Sequence, residues 1–143
     1  GTLAGSTDEF CLAVISMTGV DGTTPVGTAV TSVPALTGAP STITVTVGSV
    51  GSDDLLVDFV YAGASSDPAV SAGADQTQRT NELLGTTNRG ASSTQLGTAG
   101  GVMSWSVADH DFGRVLGAVA FKPTSGAATT RAKGGLLTLG VGV

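Results

Sequence analysis

Asp109-His110-Asp111 sets the only histidine of the 143-residue chain between two carboxylates, a combination able to hold a metal or take up a proton. A metal site needs several convergent ligands. Neighbours in a tight turn splay apart, and the chain offers no second His and one Cys. The triplet therefore reads as a solvated turn. Asp53-Asp54, with Asp58 four positions on, suggests calcium but lacks the spaced oxygen ligands and glycine of a calcium loop, so the pair reads as a loop cap. Ser104, His110 and an Asp have the residue types of a hydrolase triad, yet nothing around Ser104 resembles a nucleophile elbow. Cys11 has no partner for an intrachain disulfide; it alternates with Ala13, Ile15 and Met17 as a small buried hydrophobe would. Alternation turns the single Trp105 and the single Tyr61 inward, which speaks against the exposed aromatic platform used in sugar binding. No residue is assigned to catalysis, to a metal or to a cofactor, and no cofactor is expected.

The elements that would position these residues are strands. There are 22 glycines, and 12 % of residues are charged against about 25 % in an ordinary soluble domain. Thr, Ser, Ala and Val dominate the rest, which favours short strands and turns over helices. A surface so poor in charge suits packing against neighbours. The net charge of −5 argues against nucleic acid, whose phosphates are met by clustered Lys and Arg. No apolar run approaches the roughly 20 residues that cross a bilayer as a helix. The charge is also uneven. Residues 1–70 carry seven acids and no Lys or Arg, whereas residues 71–143 carry four acids and six bases, an asymmetry that suits head-to-tail contacts between identical subunits.

Residues 101–123 read as a β-hairpin around which the chain is organised. Met103, Trp105 and Val107 face inward on its first strand. Its second strand sets Val115, Gly117, Val119 and Phe121 against Leu116, Ala118 and Ala120. Trp105, Phe59, Phe121 and Val119 are the expected core anchors. The second strand has an echo: residues 12–19 lie without a gap on residues 116–123 after a shift of 104 positions. This suggests two copies of one unit, the first lacking the strands that should precede its closing hairpin over residues 1–19. Ile43, Val45 and Val47 alternate with Thr42, Thr44 and Thr46, a strand with one buried and one wet face. In residues 55–61, Leu55, Val57, Phe59 and Tyr61 share a face, with Asp58 opposite. Residues 26–40, bracketed by prolines, read as an extended crossover, and residues 81–99 show no clear period. Three parts result: a sandwich domain over 1–123, a linker over 124–135, and a C-terminal strand over 136–143. In that strand Leu137, Leu139, Val141 and Val143 alternate with Leu136, Thr138, Gly140 and Gly142. As an apolar arm on a polar tether, it is expected to pair with a sheet edge of its own domain or of a neighbour.

The succession GVDGTTPVGT (19–28), LLVDFVYAG (55–63), AGADQTQR (72–79), RGASST (89–94), VMSWSV (102–107) and LGAVAFKP (116–123) resembles a widespread set of uncharacterised β-sandwich domains of phage-encoded and secreted bacterial proteins. The resemblance implies an all-β, antiparallel, jelly-roll-like sandwich and supplies no catalytic residue. In such relatives further strands precede the segment that matches residues 2–18. The expectation is a non-enzymatic structural subunit of a phage virion: a capsid decoration, fibre or other exterior protein. It would self-associate or bind other virion proteins, with strand exchange through the arm. A secreted module that binds carbohydrate, such as surface glycans, and a subunit of an extracellular bacterial filament are the alternatives.

Overall fold

A computed structural model describes residues 10–34, 41–97, 101–108, 111–124 and 138–142, and for 10–12 and 138–142 the backbone alone. The described residues form ten strands: β1 Phe10–Val14, β2 Val30–Ser32, β3 Thr42–Thr46, β4 Leu55–Gly63, β5 Val70–Ala72, β6 Thr77–Leu84, β7 Asn88–Leu96, β8 Val102–Val107, β9 Gly113–Phe121 and β10 Thr138–Gly142. The described residues contain no helix. One antiparallel sheet has the order β2-β9-β4-β7-β6, and a second has the order β3-β8-β5. The two pack face to face as a β-sandwich around one cluster to which both contribute.

The local reasons are those of half-buried strands. In β3 and just beyond it, Ile43, Val45 and Val47 are buried while Thr42, Thr44 and Thr46 are exposed. These β-branched residues suit a pleated surface that is dry on one side. In β8, Met103, Trp105 and Val107 are fully buried. From the other sheet come Leu56, Val60 and Ala62 of β4 and Leu116, Ala118 and Ala120 of β9. The strands β4 and β9 pair over nine residues each, from Leu55↔Phe121 to Gly63↔Gly113, and form the middle of the larger sheet.

Three sequence expectations are corrected. Residues 101–123 are not a hairpin. Both edges of β8 are taken by β3 and β5, and both edges of β9 by β2 and β4, so the chain crosses from one sheet to the other through residues 108–112. A two-residue period says which face is buried but not which strand lies alongside. Across the core β8 packs against β4 and β9 against β3, and a link of five residues readily spans sheets about 10 Å apart.

Second, Phe59, Val119 and Phe121 are not core anchors. They are half-buried on the outward face of the larger sheet, together with Leu55, Val57, Tyr61 and Val115, while Trp105 alone of the four is in the core. The smaller Leu, Val and Ala residues of the same strands fill the interior, and Asp58 points inward with them.

Third, the proline-bracketed crossover contains β2, which pairs with β9 through Val30↔Ala118, Thr31↔Gly117 and Ser32↔Leu116. The stretch without a clear period, residues 81–99, holds all of β7 and the end of β6, an edge strand of the larger sheet; the two strands form a hairpin with a bulge between Gln78 and Thr80.

β10 pairs antiparallel with β1, from Phe10↔Gly142 to Val14↔Thr138, in a two-stranded sheet of their own. Residues 1–9 of the expected first hairpin lie outside the described residues, as do Leu136, Leu137, Val143 and all of the linker except Thr124.

Candidate functional site

The polar side chains that converge inside the molecule do so at Asp58, which is 2 % exposed. Strand alternation sets it between Leu56 and Val60 on the inner face of β4. Its Oδ1 accepts the Ser93 backbone N–H and the Ser93 hydroxyl, both at 2.7 Å. Its Oδ2 accepts the Trp105 indole N–H at 2.8 Å and a Gln76 amide N–H at 3.0 Å. Gln76 Nε2 also donates to Ser93 Oγ at 2.7 Å, and Gln76 Oε1 accepts the Ser104 backbone N–H at 2.7 Å. Ser93 is the cross-strand partner of Asp58, whereas Trp105 and Ser104 belong to the opposite sheet. The cluster therefore ties the two layers together through charge-assisted hydrogen bonds.

Local structure aims Gln76 into this cluster. Gly73 to Gln76 forms a tight turn closed by Gln76 N–H to Gly73 C=O at 3.3 Å. Asp75 has φ of 64°, a left-handed conformation that Asp tolerates better than most residues. Gly73 must lack a side chain, since a Cβ there would overlap Ser104 Oγ and lie 2.8 Å from Gln76 Oε1.

Burial pushes the Asp58 carboxyl above the usual carboxylate range, against the bonds from Ser93, Trp105 and Gln76, which favour the charged form. All four groups donate to it, so it is shaped to be an acceptor. It is enclosed by its partners and offers no oxygen to a substrate.

The candidates read from the sequence are scattered. Asp54 is buried and caps its own loop, its Oδ2 accepting the Gly51 N–H at 3.0 Å; Asp53 is exposed. Asp111 is exposed and accepts the Ser65 hydroxyl at 2.6 Å. Asp109 and His110, and with them the triplet and the triad, lie outside the described residues. Among the described residues, no three of His, Cys, Asp and Glu come together. Tyr61 does not point inward as alternation suggested. It stands half-buried on the outward face and donates to Asn88 Oδ1 at 2.7 Å.

At the far end of the larger sheet, Arg89 grips Asp67 with two bonds of 2.8 and 2.6 Å and Asn81 with a third of 2.7 Å. Arg114 is 4 % exposed, and its three guanidinium nitrogens have no hydrogen-bond partner among the described residues. Burial holds its pKa below the ordinary arginine value. A shallow depression of about 280 Å³ with the hydroxyl residues Ser41, Ser71 and Ser106 on its lining contains no charged side chain.

Sequence reasoning missed Gln76 and Ser93. The available signal was Asp58 itself, an acid in the middle of the apolar run LLVDFVY, which requires buried partners if it faces inward. The quoted segments LLVDFVYAG, AGADQTQR, RGASST and VMSWSV each contribute a member of this one cluster. GVDGTTP and LGAVAFKP also meet. Asp21 Oδ1 accepts the Thr23 and Thr24 N–H groups at 2.7 Å each. Asp21 N–H donates to Lys122 C=O, and Lys122 N–H to Pro25 C=O, at 2.9 Å. The segments thus have an architectural role that needs no reaction to explain it. Comparison with protein families, with curated proteins and with solved structures finds no match to this chain.

Proposed function

We propose that the chain is a non-enzymatic structural subunit of a phage virion, an exterior component such as a decoration or fibre protein with a jelly-roll-like sandwich, and that it works through contacts between subunits. The observation that carries this reading is the outward face of the larger sheet. Leu55, Val57, Phe59 and Tyr61 of β4 lie beside Val115, Val119 and Phe121 of β9, all half-buried, with no charged side chain among them. Two strands at about 4.8 Å spacing and nine residues at about 3.3 Å rise give an apolar band roughly 10 Å by 30 Å. That is the size of the apolar centre of an interface, whose standard extent is about 800 Å² per partner. The phage setting rests on the sequence resemblance.

The test is light scattering and electron microscopy of the full chain over a concentration series. Regular assemblies that grow with concentration support the reading; a monomer at every concentration, with or without other virion proteins, counts against it.

A second reading, a secreted glycan-binding module, is favoured by Tyr61 standing with Phe59 on that same outward face, where aromatic rings stack on sugars. Binding on a glycan array that is lost in Tyr61→Ala would select it.

A further inference from the structure

We propose that β10 is an exchange arm whose partner is β1 of a second copy of this chain. This rests on the subunit reading and names the contact. Among the described strands, β10 pairs with β1 alone, and the two form a sheet of their own, separate from the two sheets of the sandwich. Taking β10 from its own chain therefore leaves the strand pairing of both packed sheets unchanged.

The register is a list of Cα partners, Phe10↔Gly142, Cys11↔Val141, Leu12↔Gly140, Ala13↔Leu139 and Val14↔Thr138. The same partners meet whether β10 comes from the same chain or another, which is the condition for exchange of an identical element between protomers.

The tether sets which form prevails. Thr124 is held by its N–H to Gly19 C=O at 3.0 Å, and thirteen residues, 125–137, separate it from Thr138. Five residues from Gly19 to Val14 place the start of the β1–β10 pair within about 17 Å of that anchor, while thirteen residues reach about 45 Å. The tether is thus much longer than self-pairing needs. A tether of this length gives an effective concentration on the order of 1 mM. Dilute chains close on themselves, and chains crowded in an assembly exchange.

Cys11, the only cysteine, gives a direct readout because its partner is position 141. Val141→Cys is oxidised over a concentration series and run without reductant. Leu12→Cys with Gly140→Cys in a Cys11→Ser background covers the other hydrogen-bonding class of cross-strand pair. Mixing isotopically light and heavy chains identifies the linked peptides by mass.

The interchain fraction is expected to be under about a tenth at 10 µM and above about half at 1 mM. In a chain lacking residues 126–135, Thr124 and Thr138 can stand at most about 14 Å apart, and the interchain fraction is expected to exceed that of the full chain at the same concentration. Interchain linkage, as closed dimers or as a ladder, supports the proposal; intrachain linkage alone in both the full and the shortened chain overturns it. Light scattering of chains locked on themselves separates the two ideas. If they still assemble, the arm is not the contact and the subunit reading survives; if neither locked nor free chains assemble, the subunit reading falls.

Discussion

Asp58 has four donors and no route to solvent, and that pairing decides what its substitution does. Asp58→Ala leaves the Trp105 indole, one Gln76 amide N–H and the Ser93 donors without their acceptor and should cost about 3–5 kcal/mol. Burial raises the carboxyl's pKa, so the folded state holds its proton more firmly than the unfolded chain. Its contribution is full below the unfolded value near 4 and declines as pH rises through the raised folded value. Asp58→Asn, which sets an amide NH2 against donors, should be less stable at every pH, with a flatter profile. Urea melts of both proteins from pH 4 to 7 check this. A parent that gains on the Asn variant as pH rises would show that the four donors outweigh burial. Trp105→Ala should cost about 3–5 kcal/mol through the lost indole. Trp105→Phe, which removes the N–H and keeps a ring, should cost about 1–2 kcal/mol. Arg114→Met removes a buried guanidinium that has no described partner, and thermal melts should show an unchanged or raised Tm. A clear fall in Tm would mean that Arg114 holds a counter-charge. Trp105 was legible because it alternates with Met103 and Val107. Asp58 was not, because the aromatics opposite it made the other face look like the core.

Strand identity was legible wherever one face was uniformly apolar, as in β3 and β8. Partnership was not, because pairing is set by the third dimension: β8 and β9, consecutive and complementary in pattern, lie in opposite sheets, β8 against β4 and β9 against β3. The turn from Gly73 to Gln76 shows how much an element depends on a detail that periodicity does not carry. Gly73→Ala should push Ser104 Oγ and Gln76 Oε1 away, withdraw the amide from Asp58 and lower stability by about 1–3 kcal/mol. Differential scanning calorimetry of Gly73→Ala beside Gln76→Ala checks the route. Similar losses, with little further loss in the double variant, place the effect in the hydrogen bonds that Gln76 makes. Independent, additive losses would place it in local backbone strain instead. At the other junction, hydrogen bonding to the Thr24 and Thr23 N–H groups holds the exposed Asp21 carboxyl below its ordinary pKa. Whatever it adds to the docking of residues 19–25 on the end of β9 is present above the unfolded value and is lost as pH falls through the folded one.

On the scale of the whole molecule, the low charge content found its physical place on the outward face of the larger sheet. The low charge reads as suited to packing against neighbours, but Phe59, Val119 and Phe121 read as the interior itself. Hydrophobicity alone ranks them above Ala62, Ala118 and Ala120, which are in fact buried. Val57 and Val119 are direct partners in the centre of that face, so the pair can be made polar without placing like charges opposite each other. In Val57→Glu with Val119→Lys, the cross-strand attraction offsets part of the lost strand propensity. The buried side of both strands, with Leu56, Asp58, Ala118 and Ala120, is untouched. The Tm should therefore stay within a few degrees of the parent, while self-association measured by sedimentation weakens at least tenfold. Unchanged association would leave the arm as the contact to pursue. A collapse in Tm would show instead that this face is covered within its own chain, and the apolar excess would then belong to folding and not to assembly.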